Sequence, residues 1–194
     1  INERILSRPY PFDLVVVELG TDGPGQIAEF VKYIELDIAV VASITPEHME
    51  YFKDIDAVAA EELSVAAYAK QLVVNVDLID PKYVDSLSNP VTYSVRKAAD
   101  YRGKTGVFKK GLSEVTLSRQ NKIIVTQQLP LFSEVQLYSV IAAAVIWDQL
   151  GLDVSDLPAA LEAITPVPGR MQLLSGIKDS TIIDDSYNAS PEAV

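Results

Sequence analysis

Residues 13–48 read DLVVVELGTDGPGQIAEFVKYIELDIAVVASITPEH. Two short Val-rich runs, Asp13–Glu18 and Asp37–Ile44, flank a Gly-punctuated turn and a helical stretch over Gln26–Ile34. Apolar runs without polar alternation are buried on both faces, the habit of parallel strands. Strand, turn, helix and strand in that order predict a βαβ unit. The pattern continues downstream. Ile55, Val58, Ala59, Val65 and Ala66 recur at helical spacing in a helix expected over Asp54–Lys70. Leu72–Val76 and Val91–Val95 read as further buried strands, with a short helix over Pro81–Leu87 between them. The expected fold class is α/β, a mostly parallel sheet flanked by helices.

From Val107 to Gln128 the character changes. β-branched and aromatic residues alternate with polar ones, with turn signals at Lys110-Gly111 and Gln120-Asn121. This predicts a small antiparallel hairpin or edge sheet. Glu134–Leu150 reads as an Ala-rich helix stopped by Gly151, and Asp156–Ile164 as another helix. A turn at Val167-Pro168-Gly169 precedes two late strands, Met171–Ser175 and Thr181–Asp184. The chain opens on Ile1, and Ser190-Pro191-Glu192 has the signature of a helix start. The expectation is a domain excised from a longer protein, truncated at both ends.

Composition narrows the function. Of 194 residues, 48% are hydrophobic and 22% charged, which fits a globular core and excludes disorder as the main state. A net charge of -11 disfavours nucleic acid and anionic membranes as partners. Without cysteine there is no disulfide, thiolate metal site or thiol nucleophile. No apolar run reaches the roughly 20 residues of a membrane span, and no signal peptide is recognisable. A soluble cytoplasmic protein is expected.

Candidate sites follow from strand ends. Ligands of parallel α/β sheets bind beyond the carboxyl ends of the strands. Glu18 stands at such an end, either as a Mg²⁺ ligand or as a solvated acid. His48, the sole histidine, follows the second strand at the same edge. Glu61 falls on the polar side of its helix and is read as a solvated charge. Glu62 falls on the apolar stripe, either as a buried ion-pair partner or as a third acid aimed at the Glu18/His48 edge. Arg170 and Asp185 suit nucleotide phosphate and ribose contacts, or a plain exposed ion pair.

Several segments together resemble a known family. Glu18-Leu19-Gly20 with Gly25-Gln26-Ile27 resembles the E-x-G…G-E-I segment of Mur ligase central domains. Ile44 to Phe52, ITPEHMEYF, is similar to their N-I-x-x-x-H-L-E-x-F segment, and Asn75-Val76-Asp77 to their N-x-D strand end. Gly169-Arg170-Met171 and Asp184 to Pro191, DDSYNASP, resemble the closing motif. The form of that last motif is similar to the branch of the family that adds D-alanyl-D-alanine to a UDP-N-acetylmuramoyl tripeptide.

The resemblance implies the P-loop NTPase-like central domain of an ATP-dependent ligase of peptidoglycan precursor synthesis, here residues 1–194. It implies ATP and Mg²⁺ as cofactors, and a UDP-N-acetylmuramoyl peptide and D-alanyl-D-alanine as partners. Glu18 and His48 match the metal-binding positions; Arg170 and Asp185 match the nucleotide contacts. There are departures. The family's phosphate loop is absent, since Gly103-Lys104-Thr105 lacks the Gly-rich turn before it. That loop, the UDP-sugar domain and the C-terminal domain are expected outside this chain, and the chain alone is expected to be inactive. Glu62 stands where the family has a carbamylated lysine, and a glutamate supplies an anionic oxygen without CO₂. The family's adenine-contacting H-N-x-x-N is replaced by Val135 to Ser139, where Gln136 offers an amide. Two alternatives stand beside this reading: a non-catalytic homologue that binds nucleotide or muropeptide, and a related ligase of the folylpolyglutamate or cyanophycin type.

Overall fold

The computed structural model describes residues 12–165 and 167–187. Contacts divide the chain into two compact units, Ile1–Asp100 and Tyr101–Val194. The Ser190 helix start and part of the closing motif lie outside the described residues.

The first unit is a parallel α/β layer. Helix α1 (Gln26–Phe30) leads to β1 (Leu36–Val41), α2 (Ile55–Leu63), β2 (Ala69–Asn75), α3 (Pro81–Val84) and β3 (Val91–Ser94). β1 pairs with β2, and β2 with β3, all parallel. Their Val-rich composition is explained by burial. Val41, Leu72, Val74, Val65, Ile27 and Ile79 form one core, and Val73 and Val74 are fully enclosed. α2 starts on Asp54, whose side chain accepts the Ala57 N–H at 2.9 Å. It is shorter than expected. After Leu63 it tightens into a 3₁₀ turn over Ser64–Ala67, and β2 already begins at Ala69.

One expected strand is not formed. Asp13–Glu18 has no sheet pairing among the described residues, and its side chains lie in solvent, Val16 to 83%. Among the described residues β1 is an edge strand, bonded to β2 alone. A Val-rich run becomes a strand only where a ladder satisfies its backbone, and Asp13–Glu18 joins none among the described residues.

The second unit carries an antiparallel sheet: β4 (Tyr101–Thr105), β5 (Ser113–Arg119) and β6 (Lys122–Leu129). Both turn signals hold. Lys110 and Gly111 have φ of 54° and 84°, Gln120 and Asn121 of 48° and 65°, as two-residue hairpin turns with both central φ positive require. β4 precedes the segment in which antiparallel structure was expected. Helix α4 (Glu134–Gln149) covers this sheet with Leu137, Ile141, Ala144 and Val145. It ends where Gly151 turns left-handed at φ 70°. Helix α5 (Leu157–Glu162) packs near β6, and β7 (Gln172–Ser175) pairs antiparallel with β8 (Thr181–Asp184). The α/β class expected from the sequence is the class observed.

Gly103-Lys104-Thr105 lies within β4. A Cβ on Gly103 would come 2.6 Å from Ile141 Cδ1, so the glycine serves the approach of α4. It belongs to no phosphate-binding turn.

Candidate functional site

The turn after Glu18 is tied to α2 by two neighbouring carboxylates. Gly25 precedes α1 with φ 86°, a left-handed conformation that suits glycine. Its N–H donates to Glu61 Oε2 at 2.7 Å, and the Ile27 N–H donates to Glu61 Oε1 at 2.9 Å. The Thr21 hydroxyl donates to Glu62 Oε1 at 2.7 Å. Glu61 is therefore buried, 9% exposed, and Glu62 half-buried. This corrects the sequence reading of Glu61 as a solvated charge. Val58 and Glu61 share the inward face of α2, with Val65 buried in the 3₁₀ turn that follows, and a carboxylate is tolerated there because backbone donors replace its water.

Glu18, His48 and Glu62 line one cleft of about 380 Å³, together with Thr21, Ser43, Thr45 and Glu47. The strand end of β1 forms its floor through Val40 and Val41. His48 has φ 51°, rare for a residue with a Cβ, and its carbonyl accepts the Tyr51 and Phe52 N–H groups. The donor set of carboxylates, hydroxyls and one imidazole suits a hard divalent cation. The three residues share the cleft without converging: among the described residues no three His, Asp or Glu groups stand close enough to hold an ion together. A second, more open hollow adjoins it, sharing Gly20, Thr21 and His48 and adding Asp22, Gln26 and Phe30.

The strand ends of β2 and β3 are joined by Asp77. Its carboxylate accepts the Ser94 hydroxyl and the N–H groups of Val95, Arg96 and Lys97, at 2.7 to 3.0 Å. Lys97 Nζ reaches the Val76 carbonyl at 2.5 Å. The N-x-D segment thus folds the chain around a carboxylate, a nest filled from within.

The residues matched to nucleotide binding lie in the second unit. Asp185 Oδ1 accepts the Met171 N–H at 3.0 Å. The exposed Arg170 guanidinium lies 4.4 Å from the Tyr187 ring centroid, and Gly169 O accepts the Tyr187 N–H. An exposed cation beside an exposed aromatic ring fits the chemistry of a nucleotide phosphate and base. Gln136 is spent on its own chain: Oε1 accepts the Phe132 N–H at 3.0 Å and Nε2 donates to the Met171 carbonyl at 3.2 Å. The sequence offered no sign of this bridge, since both of its partners are backbone groups.

Comparison with known proteins bears on the whole chain. The curated diaminopimelate-adding ligase of Chlamydia felis, UDP-N-acetylmuramoyl-L-alanyl-D-glutamate--2,6-diaminopimelate ligase, is 23% identical over 99% of this chain. UDP-N-acetylmuramoyl-tripeptide--D-alanyl-D-alanine ligase of Mycobacterium leprae is 25% identical over 94% of it. The chain spans 40% and 38% of the length of these two relatives. The crystal structure of MurF ligase from Thermotoga maritima in complex with ADP superposes with a TM-score of 0.75 at 25% identity, covering 89% of this chain and 40% of that one. The sequence pattern of the Mur ligase middle domain matches residues 5–147, through the Glu18 turn, the His48 loop and the carboxylates of α2. On that match the chain belongs to the Mur ligase middle-domain family.

Proposed function

We propose that this chain is the central domain of an ATP-dependent ligase that joins an amine to the carboxylate of a UDP-N-acetylmuramoyl peptide, with D-alanyl-D-alanine as the amine. The observation that carries the reading is the shared cleft of Glu18, His48 and Glu62 at the carboxyl end of β1, in a chain of this family. In this reading the substrate carboxylate attacks the γ-phosphorus of ATP and ADP leaves. The amine then attacks the acyl carbon, and phosphate leaves as the peptide bond forms. Glu18, His48 and Glu62, which line the cleft without converging, would have to draw together to hold Mg²⁺, which when bound would neutralise charge on the transferring phosphoryl group. Thr21 orients the Glu62 carboxylate through its hydroxyl. Arg170 pairs with a nucleotide phosphate and Asp185 accepts a ribose hydroxyl. In this reading the phosphate loop lies upstream of Glu18, the flanking domains of the longer protein supply the UDP-sugar site and the amine site, and the reaction is cytoplasmic.

The engaged amide of Gln136 favours a second reading, a homologue that binds nucleotide or muropeptide without turnover. Phosphate release by the full-length gene product separates the two. The assay contains ATP, Mg²⁺, UDP-muramoyl tripeptide and D-alanyl-D-alanine, each omitted in turn. Release that requires all four is expected. Folded protein that binds ATP and releases no phosphate with this or any other carboxylate–amine pair would establish the second reading.

A further inference from the structure

Glu61 and Glu62 are consecutive in α2 yet anchor different points of one turn. Glu62 holds Thr21 through its hydroxyl, while Glu61 holds the N–H groups of Gly25 and Ile27. Between those anchors the turn is closed on itself, the Asp22 N–H donating to Gln26 Oε1 at 3.0 Å. Ile27, at the far anchor, is 2% exposed and part of the core. The stretch that starts at Glu18 is thus fastened to the helix that carries Glu62. Glu61 itself is not among the residues lining the cleft. A buried carboxylate that takes two backbone N–H groups is an expensive device unless the geometry it enforces matters.

We propose that Glu61 is a positioning residue. It fixes the Gly20–Ile27 turn on α2, and through that turn sets Glu18 and Thr21 opposite Glu62 in the cleft. The inference rests on reading the cleft as a divalent-cation site. It predicts different consequences for two adjacent, chemically identical side chains. Glu61→Gln is the informative change. Its amide offers one acceptor and turns an NH₂ toward the second N–H, so one of the two bonds is lost without changing side-chain volume.

The test uses the 194-residue chain and two readouts. The first is residue-resolved amide hydrogen exchange in wild type, E61Q, E61D and E62Q. The second is Mn²⁺ titration followed by paramagnetic broadening of the imidazole resonances of His48, unambiguous because the chain has one histidine. Loss of a charge-assisted hydrogen bond corresponds to a change of at least about tenfold. E61Q is expected to speed exchange at Gly25 and Ile27 by about that factor or more, with Val73 and Val74 of β2 unchanged. It should also weaken the Mn²⁺ effect on His48. E61D, which keeps the charge on a shorter arm, should fall between E61Q and wild type, and E62Q should leave Gly25 and Ile27 slow. Unchanged exchange at Gly25 and Ile27 in E61Q overturns the proposal. So does acceleration shared equally with β2 in both E61Q and E61D, which would make Glu61 a general stability residue, or Mn²⁺ binding indifferent to E61Q. Failure of Mn²⁺ to broaden His48 in wild type would instead overturn the cation reading of the cleft.

Discussion

An ionised carboxylate leaves water only where donors replace its hydration shell, and Glu61 meets that condition with two backbone N–H groups. Removing the side chain strands the buried Ile27 N–H at the core and leaves the exposed Gly25 N–H to water. Glu61→Ala should therefore lower stability by about 1–3 kcal/mol, whereas Glu62→Ala, which frees one rotatable hydroxyl, should cost less than about 1 kcal/mol. Urea denaturation of the two variants checks this. Equal losses would mean that the two carboxylates do the same structural work. The helical stripe in the sequence put Glu62 inward and Glu61 in solvent, and did not tell that Glu61 would find the Gly25 and Ile27 amides. Those donors lie 36 and 34 residues away.

Elements of the second unit are held by a close approach and by a buried polar link. Gly103 lets α4 settle on β4, and a methyl group there meets Ile141 and Leu137. Gly103→Ala should cost about 1–3 kcal/mol by overpacking, read from the thermal midpoint. A gain in stability would show that the helix has room to shift. Where α4 meets the sheet, the Tyr101 hydroxyl donates to the Asp148 carboxylate, which also pairs with Arg119 at 3.0 Å. Burial and then the bond to Asp148 push the Tyr101 phenol up to about 12 from 10.0. A folded value above the unfolded one favours the protonated form in the fold. The contribution is therefore intact below pH 10 and is lost as pH climbs toward 12. Wild type should lose stability through that window more steeply than Tyr101→Phe, measured as denaturation midpoint against pH. Parallel profiles would show that the phenol titrates as it does in the unfolded chain.

Across the molecule, burial of a segment depends on whether some other backbone completes its hydrogen bonds. Val16 stands in solvent although its neighbours spell a core strand. Val16→Lys in this 194-residue chain should change stability by no more than about 0.5 kcal/mol. A loss of several kcal/mol would place the segment in a sheet after all.

The α/β class, the three parallel strands, both left-handed hairpin turns and the Gly151 stop were legible in the residues. Each follows from local propensity and periodicity, which act between neighbours in sequence. The family, too, was legible, because its motifs are short strings kept in order. The shared cleft of Glu18, His48 and Glu62 depended on the end of β1 meeting the turn after Glu18 and the helix that carries Glu62. The burial of Glu61, the two hydrogen bonds that tie Gln136 to Phe132 and Met171, and the exposure of Leu14 to Val17 were not legible. Each hinges on a backbone donor, acceptor or ladder partner. Every residue other than proline brings the same backbone groups, so no residue type announces them, and only the folded chain assigns each one its partner.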